Sequence, residues 1–245
     1  MENDVFDRQK RIEGWNQQAV SSQNVLVVGA GALGNEAVKL LSQLGVEKIT
    51  LVDDDTVAKP NLNRCVFFTE NDLGEKKAEV VAKKASNHTT KITPVTKKIE
   101  DLPESFFQEF TFAFSCLDNL GARLHLNAQA YHHAAIIDGG TFGFHGKVQV
   151  AKNPSSCLEC GFTKRDYDLL WKKYSCAGEL LDFLDPKMPA VSTTTSIIAA
   201  MQANEFVKIS HDLPSLEGKY LFYNGLKQTT ATFEVPKRKD CPVHQ

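Results

Sequence analysis

The sequence predicts an α/β fold, a mainly parallel sheet with helices on both faces. Two observations predict it: short apolar strand-like runs alternate with helical patterns over the first 150 residues, and a glycine-rich turn joins the first of those runs to a long helix. In order, residues 25–29 read as a buried strand, 33–45 as a helix, 48–53 as a strand and 75–87 as a helix rich in Lys and Ala. Residues 111–117 form a short apolar strand, 121–134 a helix, 135–138 a strand and 146–151 a strand of alternating pattern. A further helix spans 194–210, because Ile197, Ile198, Met201, Phe206 and Ile209 recur at helical spacing. Between them, 161–190 is aromatic and charged and ends in DPKMPAV, where Pro186 and Pro189 predict a loop or crossover.

A chain of 245 residues buries one sizeable core, or a core with a modest appendage. Its net charge of −2 offers nothing to a nucleic-acid backbone, and no apolar run approaches the ~18 residues that cross a bilayer. The start, MENDVFDRQKR, lacks the apolar core of a secretion signal, which predicts a cytoplasmic protein. Six cysteines in a reducing compartment read as metal ligands or reactive thiols rather than disulfides.

The turn VLVVGAGALG places Gly29, Gly31 and Gly34 in a GxGxxG pattern, the Rossmann-like arrangement in which backbone approaches phosphate at a helix N-terminus. Asp53 follows Gly34 by 19 residues at the next strand end, where a carboxylate suits a ribose hydroxyl. This much fits NAD and ATP equally. Asn61 and Arg64 then lie in a polar turn, Lys77 opens a helix and Asp118 ends a strand. Cleaving ATP between its α and β phosphates needs such cations, and Asp118 supplies a hard oxygen for Mg²⁺. Taken singly, Asp118 is equally a helix cap beside Asn119, and Lys77 equally a solvated neighbour of Lys76; the ordered set favours ATP chemistry at a carboxylate.

With DDDTVAKPNLNR, GEKKAEV, CLDN, ARLHLNAQA, IIDGGTFGFHGKVQV and STTTSIIAAMQANEFVKI in this order, nearly the whole chain resembles the activating enzymes of ubiquitin-like proteins and their bacterial relatives, the ThiF, MoeB and HesA adenylyltransferases. The resemblance implies one adenylation domain over 1–245. It would comprise an N-terminal helix at 6–20, a nucleotide-binding core at 24–150, a zinc knuckle at 157–160 with 241–244, and a crossover segment with the catalytic cysteine at 161–190. It implies Asp53 for ribose, Asn61, Arg64 and Lys77 for phosphates, Asp118 for magnesium, and Arg8 donated across a homodimer. Cys65 departs from the glutamine usual after NLNR.

Cys157 with Cys160, and Cys241 with His244, form two knuckles that can supply four tetrahedral ligands to Zn²⁺; two unrelated reduced pairs are the plainer reading. The resemblance favours the metal, with His244 where most members have Cys. Cys116, in FAFSCLD, reads as an inert buried thiol. Cys176, in KKYSCAGE near Lys172 and Lys173, matches by order the family cysteine that takes the acyl group as a thioester; an ordinary loop cysteine is the plainer reading.

The implied activity is ATP- and Mg²⁺-dependent adenylation of the C-terminal carboxylate of a ubiquitin-like protein, then transfer to Cys176 and on to a conjugating enzyme, with 141–148 near the substrate's tail. Alternatives are activation of a sulfur-carrier protein ending in glycine and an inactive scaffold subunit. An NAD-dependent oxidoreductase comes last, since no substrate-domain His or Tyr/Lys dyad presents itself.

Overall fold

The computed structural model describes residues 4–163, Tyr167 and 189–244. Eight strands form one sheet: β1 (Asn24–Val28), β2 (Lys48–Val52), β3 (Lys91–Val95), β4 (Phe112–Ser115), β5 (Ala135–Phe142), β6 (His145–Ala151), β7 (Lys219–Asn224) and β8 (Thr229–Glu234). Their order is β3-β2-β1-β4-β5-β6-β7-β8. The run from β3 to β5 is parallel, and β6, β7 and β8 continue it in antiparallel pairs.

Helices α1 (Asp7–Lys10), α2 (Gln17–Ser21), α3 (Ala32–Leu44), α4 (Lys77–Ala85), α5 (Glu104–Phe107), α6 (Leu120–Ala130) and α7 (Ser192–Ser210) flank the sheet. The central strands are apolar at nearly every position because both faces are buried. Val25 and Val27 join one core with Leu41 of α3, Val81 of α4 and Phe206 of α7. Leu26 and Val28, facing the other way, join a second with Phe107 of α5 and Leu126 of α6. Phe206 meets the rings of both Phe112 and Phe114, which seats α7 under β4.

Several elements correct the sequence reading, among them β7, which was not assigned as a strand. The N-terminal helix expected at 6–20 is two short helices; Gly14 takes φ +78° between them and the Asn16 side chain caps α2 by accepting from Gln18 and Ala19. β3 was unrecognised because Pro94 interrupts its pattern, yet β3 is a sheet edge, where a missing N–H is tolerated. β8 is the other edge and exposed throughout, so TTATFE has no apolar alternation to read.

The N-terminal pieces close the far end of α3. The Phe6 ring packs on Gly45, and the side-chain amides of Gln9 and Gln17 donate to the Leu44 carbonyl at 3.1 and 2.9 Å. Three turns of helix separate this cap from the glycine turn.

Candidate functional site

The parallel strands β2, β1 and β4 end side by side, and each delivers one part of the site. Gly29 follows β1 at φ +97°, and its N–H donates to Val52 at the end of β2. A Cβ on Gly34 would lie 1.8 Å from the Gly29 carbonyl, so only glycine lets α3 begin this close to the strand. At Gly31 an added Cβ would meet nothing within 4 Å, and no side chain caps α3 there. The first N–H groups of α3 thus face open space, a fit for phosphate.

On the β2 side, Asp53 accepts from the Ala30 N–H at 2.6 Å and the Asp55 N–H at 2.9 Å, locking it to the glycine turn. Burial raises its pKa above the ordinary 3.8, against the pull of those bonds and of Lys77. Lys77 is 9% exposed and pairs with Asp55 at 2.7 Å, which excludes the solvated-face reading. Burial acts to lower its pKa, but Asp55 and Asp53 outweigh that and hold it above 10.5, so the ammonium stays charged.

Arg64 donates to the Pro60 carbonyl at 2.5 Å and to Asn63 at 3.0 Å. The Asn61 side-chain oxygen accepts from the Ala58 N–H at 2.9 Å and forms the turn that carries Arg64. Cys65 is buried behind them, and burial pushes its thiol up to about 11. Sequence reasoning missed Asn35. Fully buried on α3, it donates to Ala30 and Gly31 and accepts from the Phe67 N–H, bracing the Arg64 loop against the glycine turn.

On the β4 side, Asp118 is exposed and makes no hydrogen bond or ion pair among the described residues. The cap of α6 is its neighbour Asn119, which accepts from Ala122 at 2.8 Å, so the capping reading of Asp118 falls away. Cys116 is buried as expected, its thiol pushed up to about 12 by burial.

Beside Asp118 lies a cluster that the sequence did not disclose. Asp138, 1% exposed, accepts from Ser115 at 2.7 Å, pairs with Arg123 and lies 3.3 Å from the Lys147 ammonium. The other arm of Arg123 donates to the Leu117 carbonyl. Burial pushes the Asp138 pKa up, but Arg123, Lys147 and Ser115 outweigh it and hold the carboxyl below 3.8. Stability from this depressed group is present above the unfolded value and is lost as pH falls through the folded one. Denaturant unfolding followed from about pH 6 down to about pH 2 should therefore steepen below about pH 4 in the wild type and flatten in Asp138→Asn; equal slopes would remove Asp138 from the acid response.

The four knuckle residues come together. Cys157 lies 3.8 Å from Cys160 and 3.5 Å from Cys241, Cys160 lies 3.0 Å from His244 Nε2, and all four donor atoms fall within 4.8 Å of one another. Zn–S bonds of about 2.3 Å set tetrahedral edges near 3.8 Å, so this donor set fits a tetrahedral ion. Asn127 on α6, one turn beyond Arg123, accepts from the Leu158 N–H at 3.0 Å and orients the knuckle.

Arg8 is exposed on α1, at the end of α3 away from the glycine turn. The 13 residues of α3 span about 20 Å, so Arg8 does not reach the turn of its own chain. Cys176 lies outside the described residues. No helix among the described residues is long and apolar enough to cross a membrane.

The profile of the ThiF family matches residues 6–243. The Nedd8-activating enzyme E1 catalytic subunit of Drosophila melanogaster is 29% identical, in an alignment covering 89% of this chain and 65% of that protein. The SUMO-activating enzyme subunit 2 of Dictyostelium discoideum is 31% identical over 58% of this chain and 22% of that one. The chain thus spans about two thirds of the Drosophila relative. Among solved structures, Escherichia coli MccB with ATP superposes with a TM-score of 0.79 at 16% identity, covering 99% of this chain and 75% of MccB. MccB with succinimide gives 0.82 at 20% identity, covering 100% and 74%. At these identities the shared property is the fold.

Proposed function

From the chain's membership of the ThiF family, we propose that it adenylates the C-terminal carboxylate of a ubiquitin-like protein with ATP and Mg²⁺, then takes the acyl group onto Cys176 as a thioester. The observation that carries this reading is the flanking of an uncapped helix N-terminus by a buried, charged Lys77 on one side and, on the other, an exposed Asp118 with no partner among the described residues. A hydride-transfer site has no use for that pair. Support for the substrate class comes from the relatives, named for activating Nedd8 and SUMO.

In this reading the α3 N-terminus receives phosphate, Asp53 the ribose, and Arg64 with Lys77 the triphosphate. Asp118 would hold Mg²⁺, which screens phosphate charge when bound. A carboxylate oxygen of the donor attacks the α-phosphorus; the bond from that phosphorus to the bridging oxygen breaks and pyrophosphate leaves. Lys77 and Arg64 offset the charge that builds on the oxygens in between, joined by Arg8 of a second subunit in a homodimer. The Cys176 thiolate then attacks the acyl carbon and AMP departs. Cys157, Cys160, Cys241 and His244 would hold a structural Zn²⁺.

The test is intact mass, without reductant, after incubation with ATP, Mg²⁺ and small proteins ending in diglycine. A thiol-labile adduct is expected, and Cys176→Ala should lose it while retaining ATP–pyrophosphate exchange. Exchange with no adduct in the wild type would move the function to sulfur-carrier activation. Neither signal would leave a scaffold subunit.

A further inference from the structure

The cations assigned above all serve ATP·Mg²⁺ and leave the second reactant, an anionic carboxylate, without a cation. The cluster around Asp138 contains one. A single buried carboxylate there faces two cations, Arg123 and Lys147, which leaves one positive charge in excess. Arg123 is committed on both arms, to Asp138 and to the Leu117 carbonyl, and that second bond places the cluster directly beside Asp118. Lys147 is committed only in part, to Asp138. Its side chain is 41% exposed, its ammonium stands 3.3 Å from Asp138, and an ammonium has three donors. Between the two cations runs the bare backbone of Gly140, where a Cβ would lie 3.4 Å from Lys147 and 3.5 Å from Arg123.

Resting on the adenylation reading, we infer that Lys147 is the residue that recognises the terminal carboxylate of the acyl donor. Asp138 holds the ammonium in place through its partly buried stem, and Arg123 ties the same cluster to the metal-binding turn. An ionised donor paired with a carboxylate strengthens the bond over a neutral partner, so the site distinguishes a free acid from its amide.

The full chain is titrated with N-acetyl-glycyl-glycine and with its C-terminal amide, with and without a non-hydrolysable ATP analogue and Mg²⁺. The wild type should prefer the acid by about tenfold. Lys147→Gln should lose that preference with its nucleotide affinity unchanged, whereas Lys147→Arg, which keeps the charge, should retain it. A preference that survives in Lys147→Gln, or is missing from the wild type, overturns the assignment. Absence of nucleotide binding by the wild type would instead sink the adenylation reading, while the comparison made without nucleotide still decides Lys147.

Discussion

Asp118→Ala is expected to lower ATP–pyrophosphate exchange by at least about 10³-fold while leaving stability within about 0.5 kcal/mol of the wild type. Both halves follow from the same geometry. The side chain is exposed and has no partner among the described residues, so its removal strands no buried group and opens no cavity. The cap of α6 belongs to Asn119 and survives the change. Asp118 therefore has no structural role among the described residues that would explain its position after β4, which supports its proposed role as a Mg²⁺ ligand. Paired measurements of exchange and thermal unfolding check this. Full exchange in the variant would remove Asp118 from the metal site, and joint loss of exchange and stability would mean that the side chain supports the turn instead.

Loss of the metal at the cysteine cluster carries the second large effect, this time on stability. Cys157 and Cys241 lie 84 residues apart in sequence, and an ion bound by both knuckles closes that loop. The entropy of closing a loop of such length is worth about 4–5 kcal/mol, a shift in thermal midpoint of roughly 10–15 °C for a domain of this size. Chelation of the purified chain, or Cys241→Ser, should produce that shift, and elemental analysis should find about one zinc per chain. A zinc-free wild type with the same midpoint as Cys241→Ser would reduce the cluster to buried thiols.

Much of this architecture was legible because the residues that build it are local. The strand–turn–helix around Gly29, Gly31 and Gly34 announces itself through periodicity and glycine spacing, and Asp53 through its distance along the chain. Cys157, Cys160, Cys241 and His244 were legible as two short motifs, though only the fold shows the pairs meeting. What stayed hidden depends on tertiary contact. Asp138 lies in an apolar strand, Arg123 on a helix and Lys147 on a later strand; no spacing relates them, and only the β5–β6 register and the packing of α6 join them. Asn35 reads as an ordinary helix residue until the Phe67 loop folds back on it. The edge strands were hidden for other reasons, β3 because Pro94 breaks its pattern and β8 because exposure removes the apolar alternation by which strands are recognised.

The placement of Arg8 at the far end of α3 has a consequence for mixed populations. If each active centre borrows its arginine from the neighbour, Arg8→Ala and Asp118→Ala are each inactive as pure dimers, but their defects fall on different centres when the two chains pair. One centre of the hybrid then combines an intact Asp118 from one chain with an intact Arg8 from the other. Random exchange of equal amounts makes half the dimers hybrid with one working centre each, so the mixture should recover about a quarter of wild-type exchange. Two inert preparations would thus become active on mixing alone, and a mixture that stays inert would place Arg8 outside its neighbour's chemistry.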